Sequence, residues 1–142
     1  MRYKLIVFFC VVFMSAMANA QQWLTNLDIA QNLALAQNKM VLMVWEDATR
    51  YQYPVLFNDK YGRTVYVQNL FTSESISPII WDYFVPVIVS ENQYDELYEE
   101  IKDKRSQLYK DKFSDDTIKI LDPNGHLLNL NWTQDRFQNI SI

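Results

Sequence analysis

Residues 39–55 read K-M-V-L-M-V-W-E-D-A-T-R-Y-Q-Y-P-V. Met40 to Trp45 is an unbroken apolar run, short and rich in Val and Leu. Such a run has the signature of a strand buried on both faces, as at the centre of a sheet. It stops at Glu46-Asp47 and passes into a polar, aromatic segment closed by Pro54. In an open α/β sheet, the segment leaving the carboxyl end of a central strand is where ligands and chemistry usually sit.

Working outward from that strand, the first 20 residues separate from the rest. Arg2 and Lys4 form a positive n-region, Leu5 to Met17 an apolar h-region, and Ala18-Asn19-Ala20 an A-x-A cleavage site. The apolar run is short for a membrane anchor. Cys10 lies inside it without the small residues that precede a lipoprotein cysteine. The expectation is export, periplasmic or extracellular, with a mature chain of residues 21–142 and no integral membrane segment after cleavage.

Removing 20 of 142 residues leaves 122, enough for one domain with a sizeable core. It also removes the single cysteine. Dithiol chemistry, cysteine nucleophiles and thiolate metal sites are thereby excluded from the mature chain. With Arg2 and Lys4 gone, Lys+Arg falls from 13 to 11 against 17 Asp+Glu, a net charge of −6. That acidity argues against nucleic acid and anionic membrane surfaces as partners. The two glycines, Gly62 and Gly125, form no phosphate-cradling loop.

Trp23 to Asn38 carries apolar residues at helical spacing, with Thr25 or Asn26 as cap and Asn38 as end. Val55–Phe57 and Arg63–Val67 read as a small hairpin about the turn at Asn58–Gly62. A helix is expected from Thr72 or Ser73 through Tyr83, with Pro78 in its first turn. Phe84 to Val89 is a second apolar strand whose Pro86 favours an edge position or a strand start. Asn92 to Tyr109 reads as one amphipathic, charge-rich helix. Thr117 to Leu121 is a third strand, Asp122-Pro123-Asn124-Gly125 a turn, and His126 to Leu130 the returning half of a hairpin. Trp132 to Ile142 reads as a final short helix.

Three stretches carry a resemblance. Ala36 to Trp45, A-Q-N-K-M-V-L-M-V-W, resembles the helix, Asn-Lys, apolar-strand opening of exported thioredoxin-family proteins. Asp82 to Val87 looks like their passage from a helix into the next strand. Thr117 to Gly125, T-I-K-I-L-D-P-N-G, is similar to their P-T-x-x-x-x-D-P-x-G strand and turn. The resemblance implies an α/β fold, a thioredoxin-like three-layer sandwich with a mixed central sheet and an inserted β-hairpin. The departures bear on function. Where redox-active members carry C-x-x-C, this chain reads Asp47-Ala48-Thr49-Arg50-Tyr51-Gln52, and Asp116 stands where the cis-proline would be. Without a thiolate there is no thiol–disulfide exchange.

The expected role is therefore a non-catalytic binding or structural module for a protein or peptide. Its contact face would be Glu46, Asp47, Thr49, Arg50, Tyr51 and Tyr53, together with Asp115 and Asp116. The arrangement would bring Glu46 and Asp47 towards Asp115 and Asp116, and four carboxylates can hold a hard cation. A cation-dependent or acid–base hydrolase on that cluster is the reading from another class. Solvated strand-end acids are the commoner meaning of such residues, and no Ca-loop spacing accompanies them. No metal and no cofactor is expected. His126, the sole histidine, follows a turn glycine and reads as structural. Trp45 and Trp81, in apolar runs, belong to the core. Tyr51, Tyr53, Tyr61 and Tyr66 are candidates for a sticky surface.

Overall fold

The computed structural model describes residues 22–58, 61–71, 77–131 and 138–141. The expected signal segment lies outside them, as do the start of the helix after Phe71 and residues 132–137.

Helix α1 (Leu27–Gln37) begins where the Asn26 side chain accepts the Ile29 N–H at 3.0 Å. This gives one of the orphan donors of the first turn its acceptor. It ends at Asn38, which adopts the left-handed conformation at φ 53° and returns its N–H to the carbonyls of Ala34 and Leu35. Ala30 and Ala34, both fully buried, are small enough to let α1 sit close on the sheet. Leu24, expected in this helix, instead pairs with the second long strand.

Strand β1 (Met40–Trp45) is central in a mixed sheet, parallel to β4 (Phe84–Val89) and antiparallel to β5 (Lys119–Leu121). Residues 41–45 are buried, so both faces are covered as the apolar run requires. Val41, Met43 and Trp45 pack with α1 and with Tyr109 and Phe113; Leu42 and Val44 face the opposite cluster with Val55, Phe57, Val67 and Ile80. Each such burial contributes about 1.5–3 kcal/mol, as an upper bound against an extended unfolded chain.

On its outer side, β4 takes Leu24 in a single parallel bridge: Leu24 N donates to Pro86 O, and Ile88 N to Leu24 O. β4 is the outer strand of this three-stranded sheet, the edge position that Pro86 favours. The Pro86 carbonyl points towards Leu24, so its missing N–H faces a margin where the partner is one residue long. At the other margin, Leu121 bridges Leu127 after the turn. Gly125 holds φ +82° there, and Asp122 Oδ1 accepts the N–H groups of Asn124 and His126, each at 2.9 Å.

The hairpin β2 (Val55–Asn58) and β3 (Thr64–Val67) is present, with β2 also parallel to β6 (Gln138–Ser141). The tail expected as a helix from Trp132 is thus a strand over Gln138–Ser141. The open side of β2 supplies a ladder partner, and this tertiary pairing overrides a local preference too short to nucleate a helix. The hairpin is no appendage, because Val55, Phe57 and Val67 complete the core beneath β1.

Helix α2 (Ser77–Tyr83) leads straight into β4. The single helix expected over Asn92–Tyr109 is two, α3 (Tyr94–Ile101) and α4 (Gln107–Ser114). Ser106 makes the break: its hydroxyl accepts the Tyr109 N–H at 3.2 Å, starting α4 afresh. The fold is a mixed α/β arrangement with helices against a mixed sheet, and a second small sheet on its other side.

Candidate functional site

The segment leaving β1 forms a 3-10 turn over Glu46–Arg50, anchored by the buried Ala48. Thr49 Oγ1 donates to the Glu46 carbonyl at 2.7 Å, and the Asp47 N–H donates to Glu91 Oε1 at 2.8 Å. Arg50 and Asp47 pair at 2.8 Å with both side chains well exposed, an arrangement worth at most about 1 kcal/mol. Glu46, Asp47, Arg50 and Tyr51 therefore present polar groups to solvent, Tyr51 at 74% exposure.

Tyr53 does the opposite and turns inward. Its phenol oxygen accepts the Ile118 N–H at 3.1 Å, and its ring meets Phe71 edge-on at 6.0 Å. Burial pushes its pKa up to about 12; the Ile118 N–H offsets part of this, and the charge of Asp115 adds to it. This bond ties the loop after β1 to the start of β5, the two segments expected side by side.

Beneath lies a group the sequence reading missed. Lys119, on β5, has no exposed surface; Lys112, on α4, has almost none. Lys119 Nζ donates to the Thr117 carbonyl at 2.7 Å, to the Asp115 carbonyl, and to Asp115 Oδ1 at 3.2 Å. Lys112 Nζ donates to Thr117 Oγ1 at 2.6 Å and lies 3.9 Å from Asp115 Oδ2. Asp115 also accepts the N–H and hydroxyl of Thr117, at 2.8 and 2.5 Å. Two ammonium groups thus share one carboxylate in the interior. Burial lowers the Lys119 pKa to about 8; Asp115 opposes this, Lys112 reinforces it, and Asp116 opposes it weakly. Burial lowers Lys112 as well, against the pull of Asp115. The available signal was a lysine inside T-I-K-I-L directly after Asp115-Asp116.

Asp115 is consumed by the two lysines and Thr117, while Asp116 is exposed. Among the described residues no group of three or more His, Cys, Asp or Glu is arranged to hold a metal ion. Nor is any described buried side-chain polar atom without a hydrogen-bond partner. On this face the shifted groups, Tyr53, Lys112 and Lys119, are turned inward and bonded to backbone or to each other. They brace the surface from below.

His126 Nδ1 sits 2.9 Å from Asp122 Oδ2 within the turn, a local structural pair. Trp45 is buried, its indole N–H donating to the Phe113 carbonyl at 2.7 Å; Trp81 is half-buried against the same core. Tyr61 and Tyr66 are 72% and 57% exposed on the hairpin. No described helix is long and apolar enough to cross a membrane. Compared with known proteins, the chain matches no family model, no curated protein and no solved structure.

Proposed function

We propose that this chain is an exported thioredoxin-like domain that has lost thiol–disulfide chemistry and serves to bind a protein or peptide. The observation that carries the reading is the bond from the Ile118 N–H to Tyr53 Oη. It holds the segment after β1 against the start of β5, as a thioredoxin-like arrangement would hold its dithiol loop beside its cis-proline loop. The order Leu24, β4, β1, β5, Leu127, with β5 antiparallel, is further support. The loss of the redox chemistry accords with the absence of cysteine from residues 46–52 and the trans peptide before Asp116.

The contact surface is the exposed rim Glu46, Asp47, Arg50, Tyr51 and Asp116. Thr49, Tyr53 and Asp115 position it through the bonds described above. Tyrosine suits the centre of such a surface, offering large contact area for little lost rotamer freedom.

Site-specific photo-cross-linking tests the reading. A photoreactive phenylalanine at position 51, in the intact chain within its native compartment, is expected to give one discrete protein adduct. The same probe at Leu35, exposed on α1, is expected to give none. Equal adduct patterns from both positions, or turnover of a disulfide substrate by the purified protein, would overturn it.

A further inference from the structure

Away from this face, a cleft of about 470 Å³ opens between α1, the α3–α4 connection and the turn that holds Gly125. Its volume falls in the range of about 300–1,000 Å³ typical of small-ligand sites. The floor is apolar, with Leu27, Leu97 and Tyr109 among its residues. The rim is charged in both senses: Asp28 and Glu100 on the helices, Lys104 and Arg105 on the connection.

Arg105 is the telling residue. Its guanidinium lies 4.9 Å over the Tyr109 ring, and Nη2 reaches the carbonyls of Asn124 and Gly125 only at 3.5 Å, the outer limit of a hydrogen bond. Among the described residues it makes no ion pair with a carboxylate. The planar donor set is thus held in place by the ring beneath it while most of its N–H groups remain available to a carboxylate. A plain anion would meet Asp28 and Glu100; a plain cation would meet Lys104 and Arg105. A molecule carrying both charges satisfies the whole rim.

We propose that this cleft binds a small zwitterion with an apolar side chain, an α-amino acid or a dipeptide with free ends. Its carboxylate pairs with Arg105 and Lys104, its ammonium with Asp28 and Glu100, and its side chain rests on Leu27 and Leu97. The inference is independent of the contact surface proposed above.

Calorimetry and amide NMR on the intact chain, with L-leucine, L-phenylalanine and L-leucyl-L-leucine, test it. At least one of the three should bind saturably, with shifts centred on the amides of Leu97, Ile101 and Gly125. The comparison of free amino acid with dipeptide tells which fills the cleft. N-acetyl-leucine and leucine amide, each lacking one charge, should bind about tenfold more weakly or worse, as should protein carrying Arg105→Gln or the exposed-site change Asp28→Asn. No saturable binding by any zwitterion up to about 10 mM, shifts centred elsewhere, or equal binding by the blocked analogues overturns the proposal.

Discussion

Lys119 Nζ and Asp115 Oδ1 lie 3.2 Å apart, with the lysine side chain wholly withdrawn from solvent. Asp115 is also the carboxylate nearest Lys112 and the acceptor for both donors of Thr117. Asp115→Ala would leave two interior ammonium groups without a counter-charge. The expected loss is about 3–5 kcal/mol, the usual result of removing one partner of a buried pair. Denaturant unfolding at neutral pH measures it. The double change Asp115→Ala with Lys119→Met should recover part of the loss, because it removes one of the uncompensated charges.

Stability should depend on pH in an unusual sense. Lys119 gives up its proton near pH 8 in the folded chain and near its ordinary 10.5 in the unfolded one. Between those values the unfolded chain binds more protons, so unfolding becomes harder as pH rises, by about 3 kcal/mol across the interval. Lys112, also lowered, acts in the same direction. Tyr53 acts oppositely: held near 12 against 10.0, it keeps a proton that the unfolded chain loses, so its contribution falls once pH exceeds 10. Tyr109, raised by burial, joins it. Urea midpoints should therefore climb from about pH 8 to about pH 10 and then decline. Lys119→Met should flatten the climb.

Tyr53→Phe keeps the ring against Phe71 and removes the acceptor for the Ile118 N–H. A loss of about 1–3 kcal/mol is expected, the cost of stranding a part-buried donor. Hydrogen exchange at the Ile118 amide should accelerate in parallel. Tyr51→Phe, on the exposed ring next door, should stay within about 0.5 kcal/mol of the parent.

Asn38 closes α1 at φ 53°, a conformation that a β-branched side chain resists. Asn38→Val is expected to lower stability by about 1–2 kcal/mol. Asn38→Gly should leave it within about 0.5 kcal/mol, since the freedom glycine gains when unfolded offsets its easier fit. Thermal melting of the two variants side by side decides the matter.

Strands β1 and β4 were legible because burial on both faces writes itself as a continuous apolar run. Capping chemistry marked the ends of α1, with Thr25 or Asn26 at its start, of which Asn26 is the cap, and Asn38 at its end. The hairpin was visible from its two short β-rich runs about Gly62. Other features depend on tertiary pairing, which local pattern does not encode. Leu24 keeps helical spacing yet joins β4, and the tail becomes a strand because β2 offers it a ladder. Ser106 splits a charge-rich stretch whose periodicity runs on past it. At the candidate face, the stop of β1 at Glu46-Asp47 and a loop or helical first turn from Ala48 were legible, while Tyr53, expected in that polar loop, turns inward. Lys112 and Lys119 escaped notice because lysine in a helix or an alternating strand ordinarily marks the wet side.

Asn129, almost wholly buried, offers one more consequence. Its carboxamide accepts the Ile120 N–H at 2.9 Å and donates to the Ile118 carbonyl at 2.8 Å, while Leu128 N donates to the Ile120 carbonyl. One side chain thus stands in for the strand that would otherwise line β5. With those groups occupied, β5 offers a neighbouring molecule no free rung on which to stack, and growth of this sheet by self-association is blocked at that margin.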